Sequence, residues 1–329
     1  ADLTLPLIKG VPLDQIEVGY RATLTDLSST VIVPNQTFTA EKLEIAGTDR
    51  NISATGEARL GAIPVGGTWS ADLTPGSGGR SQVKGWLSVT QALADQPNLG
   101  LPPGTISGAG RAAIQLDFVK GQAPEFTASS DLAGIGIRIE PLNWSLPRER
   151  TGRFEIAGQL GAPPRIDSIA LDAPGLSASG TLTLRPEGGG LDTARFSRVR
   201  LGAWLDAPVV LTGRGRNVTP KVAVTGGTVD LRHLDLGKPT GKGGPMTVTL
   251  DRLQVSDGLF LRGMRGDFST QGGLSGRFVA SLNGKAPING TVVPAKAGTA
   301  LRVTSENAGA ALAAAGLLNQ GRGGTLDLS

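Results

Sequence analysis

The sequence predicts an all-β protein: a long curved, twisted antiparallel β-sheet forming an open apolar trough, with one or two short helices. Three observations carry this expectation. Apolar and polar residues alternate at period two along most of the 329 residues. Glycine and proline, 49 and 21 residues, break the alternation at short intervals, as turns between strands do. Aromatic residues make up only 4% against 39% hydrophobic, so the apolar surface is mostly Leu, Val, Ile and Ala, with little bulk for a thick core.

The alternation begins with Leu3, Leu5 and Leu7 between Asp2, Thr4 and Pro6, and continues with Tyr20, Ala22 and Leu24. Residues 91–104, "QALADQPNLGLPPG", are the one long irregular stretch, with room for a helical turn. Beyond it Ile114, Leu116 and Phe118 share one face, and Leu182 and Leu184 share another opposite Thr181 and Thr183. Each strand thus has an apolar and a polar face, as in an antiparallel sheet wetted on one side.

A second pattern shifts parity in mid-segment. "IRIEPLNW", "VDLRHLDL" and "VTLDRLQV" space their apolar residues by two, then three, then two. Either a β-bulge absorbs the extra residue or a turn separates two short strands. On the order of 20 strands follow from one strand per 12–16 residues. Side by side they would span roughly 90 Å, so the sheet must close, fold into two layers or stay open. A membrane barrel needs aromatic girdles, for which four Trp, one Tyr and eight Phe are too few. A sandwich would bury larger side chains. The open trough fits best, as one elongated body over residues 1–329. Its inward face is expected to carry Ile114, Leu116, Phe118, Ile135, Ile137, Ile139, Phe154, Ile156, Ile169, Leu171, Leu182, Leu184, Val229, Leu231, Val248 and Leu250.

Near the end the periodicity changes. Over residues 305–320 an Ala/Leu run predicts a short helix, capped by Ser305, with a stripe at Ala308, Ala311, Leu312, Ala315 and Leu318.

Chemistry is sparse. Cysteine is absent and His233 is the one histidine, which excludes thiolate metal sites and Cys–His nucleophile pairs. No catalytic residue, metal ligand or cofactor-binding motif is expected. The net charge of +4 and pI near 9.6 are a mild basic excess, and the arginines lack the aromatic interleaving of a nucleic-acid platform. No apolar run reaches the ~20 residues of a membrane helix.

"SENAGAALAAAGLLNQGRGGTLDL" resembles the C-terminal signature of AsmA-like envelope proteins, bacterial bridge-like lipid transfer proteins of the YhdP and TamB type. The matching positions are Ser305, Asn307, Ala308, Gly309, Leu312, Gly316, Leu317, Gly323, Gly324, Leu326 and Leu328. "TGRFEIAGQLGAPPRIDSIALDAPGLSASGTLTL" looks like the repeating strand–turn unit of that family. Asn307 departs from the Asp more typical there. The resemblance implies a C-terminal fragment of a longer chain, anchored in the inner membrane and lying in the periplasm. Its partners would be phospholipid acyl chains and, through parts outside this sequence, the inner and outer membranes. The implied mechanism is shielding of acyl chains in a groove, without catalysis. The competing expectation is a structural or adhesive β-solenoid of the cell envelope without lipid cargo.

Overall fold

The computed structural model describes residues 2–4, 17–33, 36–96, 104–186, 190–215, 218–234, 243–295, 298–318 and 320–329. Most of the irregular 91–104 stretch therefore lies outside the described residues, as does residue 319 of the helical segment. The chain is mostly strand with two short helices, and divides into two compact units. One comprises Ala1–Ile137 with Leu146–Asp167, the other Arg138–Ser145 with Ser168–Ser329. All three junctions, at 137/138, 145/146 and 167/168, fall within strands rather than in long linkers, which is why the sequence reads as one body.

In the first unit, antiparallel pairing runs in chain order through β1 (Asp2–Thr4), β2 (Glu17–Ser29), β3 (Phe38–Gly47), β4 (Asn51–Leu60) and β5 (Ile63–Asp72). It continues through β6 (Ser81–Thr90), β7 (Ile106–Phe118) and β8 (Glu125–Ser130). One helical turn, α1 (Gln91–Ala94), follows β6. The first part of β9 (Ile135–Ile139) pairs with the start of β7. The short β10 (Trp144–Leu146), like the end of β9, falls mostly in the segment that belongs to the second unit, and β11 (Arg153–Gln159) pairs with β8. β12 (Arg165–Ala173) comes next in the chain, with residues 165–167 in this unit and 168–173 in the second.

In the second unit, β13 (Leu176–Leu184), β14 (Leu191–Leu201) and β15 (Leu205–Thr212) pair antiparallel. β16 (Lys221–Thr225) and β17 (Thr228–Asp230) are separated only by Gly226 and Gly227. Both pair antiparallel with β15 and parallel with β18 (Pro245–Ser256). Antiparallel pairing then resumes through β19 (Leu259–Ser269), β20 (Ser275–Leu282), β21 (Ala286–Ala295), β22 (Gly298–Ser305) and β23 (Leu326–Leu328). The sheet is therefore mixed, where the sequence predicts a wholly antiparallel one. Parallel neighbours need a crossover rather than a hairpin, a distinction that alternation does not carry.

The three parity shifts resolve differently. In "IRIEPLNW" a 3-10 turn at Glu140–Leu142, followed by left-handed Asn143, separates β9 from β10. In "VDLRHLDL" a 3-10 turn at Leu231–His233 follows β17. In "VTLDRLQV" the strand β18 runs through, yet Val248, Leu250 and Leu253 are all buried. There a local bend absorbs the extra residue.

Glycine sets how closely the strands approach. Gly67 and Gly85 stand opposite each other on β5 and β6. A Cβ on Gly85 would lie 2.8 Å from Gly67 Cα, and closer still to the Gly66 carbonyl. The two backbones close together on the side where neighbouring side chains are apolar, and only glycine leaves room for that. Gly85→Ala is expected to lower unfolding stability by roughly 1–3 kcal/mol through overpacking. Gly76→Ala, where nothing lies within 4 Å of the new methyl, should stay within about 0.5 kcal/mol of the parent. Urea denaturation of the two variants checks this; equal midpoints would contradict it.

Candidate functional site: an apolar sheet face

Directly opposed residues of adjacent strands point to the same face, so register defines the rows that cross each unit. In the first unit one row runs Ala22, Ile45, Ala54, Trp69, Val83, Leu116, Phe126 across β2 to β8. The next row on that face runs Leu24, Leu43, Gly56, Gly67, Gly85, Ile114, Ala128, Ile156, ending on β11. Between them, on the other face, lie Thr23, Glu44, Thr55, Thr68, Lys84, Gln115 and Thr127. No charge interrupts the apolar rows. The polar row is bonded within itself, as between the Thr55 and Thr68 hydroxyls at 2.9 Å.

This face is not packed like a core. Leu24 and Trp69 keep 43% and 36% of their surface exposed, and most other side chains of both rows are half-buried. Tight packing is local: Leu132, Ile135 and Leu146 are buried, with Ile135 covering Gly110 of β7.

The second unit repeats the arrangement. Leu182, Ala194, Leu211, Val222, Met246, Phe268, Gly276, Val292 and Leu301 form one row from β13 to β22. Leu201, Leu205, Val229, Leu253, Leu261, Leu282 and Ala286 form another. Here packing is denser. Val248, Leu250, Leu253, Leu261, Met264, Phe268 and Phe278 are buried in one cluster, and the Phe268 and Phe278 rings stack at 6.4 Å.

Most of the expected inward residues fall in or beside these rows. Phe118 lies opposite Ser81 one step beyond Leu116, and Phe154 opposite Ser130 one step beyond Ile156. Ile137 pairs with Ile106, and Leu184 with Leu191. Ile169 and Leu171 are half-buried on β12 beside exposed Asp172. Leu231 departs: it leaves the sheet in its 3-10 turn and is 37% exposed. Ile139, the last residue of β9, keeps the parity of Ile135 and Ile137 and is half-buried between exposed Arg138 and Glu140. At Leu231 a turn takes up the parity shift, so the alternating count no longer gives the face.

The residues expected to face inward begin at Ile114 and include none from β2 to β6. Gly56, Gly67 and Gly85 occupy apolar-face positions there, and glycine at those positions reads as punctuation rather than as part of a face. The signal was present in the flanking pairs Leu43/Ile45 and Val83/Leu87.

The helix at the end of the chain, α2 (Ala308–Ala314), packs on the apolar side of the second unit. Ala311 and Ala314 are buried against Ala286, with Leu282 and Leu326 around them. Its cap is Asn307, whose side chain accepts from Ala310 N at 3.0 Å, and not Ser305. Ser305 is buried in β22 and donates to the Pro287 carbonyl at 2.9 Å. The buried stripe is Gly309, Ala311 and Ala314, while Leu318 is half exposed. Gly323 and Gly324 carbonyls accept from the first-turn N–H groups of Gly309 and Ala308, so the chain crosses the helix start before β23 pairs with β22.

Among the described residues no three His, Asp or Glu side chains gather to hold a metal ion, and no helix is long and apolar enough to cross a membrane. Comparisons with family models, with curated proteins and with solved structures find no match.

α2 is tied down through Asn283, a left-handed residue at φ +50 in the β20–β21 turn. Its Oδ1 accepts from Phe260 N at 2.8 Å, and its Nδ2 donates to the Gly258 carbonyl at 2.9 Å and the Ala314 carbonyl at 2.7 Å. Asn283→Ala is expected to cost roughly 2 kcal/mol or more and to speed amide exchange over 308–314. Unchanged exchange in that helix would contradict the tether.

Proposed function

We propose that the apolar face shields phospholipid acyl chains, in a protein of the bacterial envelope that moves lipid between the inner and outer membranes. The observation that supports this reading is the unbroken apolar row. From strand to strand the side chains are Leu, Val, Ile, Ala, Phe, Trp, Met or Gly, uncharged and, in the first unit, mostly half exposed. A soluble surface of this extent calls for a ligand or a partner. Each methylene of an acyl chain laid on it gains about 0.8 kcal/mol.

The absence of polar groups along the rows has a mechanistic consequence. Without a hydrogen-bonding anchor, one position binds a methylene much as the next does, so a chain can slide along a row without a deep trap. Headgroups would remain in water at the strand ends. The AsmA-like resemblance of the closing segment agrees with this reading and with a periplasmic location.

A pair of substitutions on β13 separates the two faces. Leu182 lies in the nine-membered apolar row from β13 to β22, whereas Thr181 is exposed on the other face, opposite Arg195. Leu182→Asp places a charge that is costly to leave unsolvated in hydrocarbon-like surroundings. It should reduce the lipid recovered by extraction and mass spectrometry, while Thr181→Asp should leave it unchanged. Equal lipid in two folded variants would count against the proposal.

A further inference from the structure

On the polar side of the second unit, the geometry points to a binding site for a phosphate group. A cleft of about 420 Å³ opens beside the β14–β15 hairpin, and Arg200, Trp204, Asp206, Thr228, Arg232 and Arg252 are among the residues that line it. Register explains the gathering. Arg200 stands opposite Asp206, Asp206 opposite Thr228, and Thr228 opposite Arg252, in one cross-strand row. Trp204 lies in the hairpin turn, which its carbonyl ties to Asp230 N at 2.8 Å.

The two carboxylates of the cleft are already taken. Arg198 grips Asp206 through two bonds of 2.8 and 2.7 Å. Arg232 grips Asp230 at 2.9 and 2.6 Å and reaches Asp257 with its remaining Nη. Hydrogen bonding from Arg232 holds the Asp230 carboxyl down to about 2, and that from Arg198 lowers the Asp206 carboxyl. Both shifts favour the charged, paired carboxylates.

Two guanidiniums are left with donors to spare. Arg200 has only a 3.5 Å approach to Asp206, whose oxygens Arg198 already holds. Arg252 stacks on the Phe260 ring at 3.8 Å and gives Nε and Nη2 to the neutral Gln254 Oε1 at 3.1 and 2.8 Å. No carboxylate pairs with Arg252 among the described residues. Three strand spacings, roughly 14 Å, separate the two arginine backbones, a span that two long side chains can close around one tetrahedral anion. A carboxylate has two oxygens and is filled by one guanidinium fork. A phosphate has enough oxygens to meet both forks and the Thr228 hydroxyl. The Trp204 indole offers an apolar wall for the organic part of a phosphate ester.

The site is tested by titrating the purified chain at low salt with inorganic phosphate, glycerol 3-phosphate and a short-chain phosphatidic acid below its micellar concentration. The indole and arginine Nε–H signals would be followed by NMR. Saturable shifts at Trp204 are expected. Arg200→Gln and Arg252→Gln should each weaken phosphate binding about tenfold, the cost of one charge-assisted fork. Arg277→Gln, on the polar face outside the cleft, should leave it unchanged. Should Arg252→Gln fail to fold, Arg252→Lys keeps the charge and the aliphatic stem over Phe260, and must still weaken binding because the fork is gone. Tighter binding of glycerol 3-phosphate would assign the site to small esters, and tighter binding of phosphatidic acid to a lipid headgroup. Absence of saturation by tens of millimolar phosphate, or equal weakening by Arg277→Gln, would overturn the proposal.

Discussion

Register is the constraint on which the rest depends. Because side chains alternate with period two, a one-residue slip of any strand would move its whole apolar set to the other face. In the first unit that slip would place Thr68 rather than Trp69 beside Ala54, and Lys84 rather than Val83 beside Leu116. Short turns hold the register. Leu60 pairs with Ile63 across Gly61 and Ala62, with Gly61 at φ +58, so β4 and β5 have no freedom to slide. Once each hairpin is fixed, apolar rows extend from strand to strand without any side chain having to recognise a distant one.

The second unit shows how register survives a change of parity. β14 shifts register between Phe196 and Val199, β16 breaks from β17 at Gly226–Gly227, and β19 shifts around Gly263. These interruptions lie at one level, between the row through Val224 and Val248 and the row through Val229 and Leu253. Asp251 secures the break from β18: its carboxylate accepts from Gly227 N at 2.8 Å, while its own N–H and that of Arg252 go to the Gly227 carbonyl. Neighbouring strands change parity together, so Leu250 and Leu253 both stay buried on the apolar side.

Alternation and glycine punctuation made the strand content legible, and Leu116, Phe118, Leu182 and Val248 stand where period two puts them. What failed was local. Leu231 departs because a 3-10 turn and a strand bend leave the same two–three–two spacing in sequence. Ser305 looks like a helix cap by type and position, yet its hydroxyl is engaged by the Pro287 carbonyl, and Asn307 takes the role. The parallel neighbours of β18 and the arginine cleft were invisible, since both depend on which strands become adjacent rather than on any pattern within one strand.

The central claim is that the two faces of the sheet differ in what they hold, and photocrosslinking tests it most directly. A benzophenone amino acid would be placed at Val83 and Leu87 on the apolar face of β6, and at Lys84 and Ser88 on its polar face. After irradiation in cells, intact mass measurement would count lipid adducts at each position. The account predicts adducts at Val83 and Leu87 and none at Lys84 and Ser88. Equal labelling of both faces, or labelling confined to Lys84 and Ser88, would contradict it.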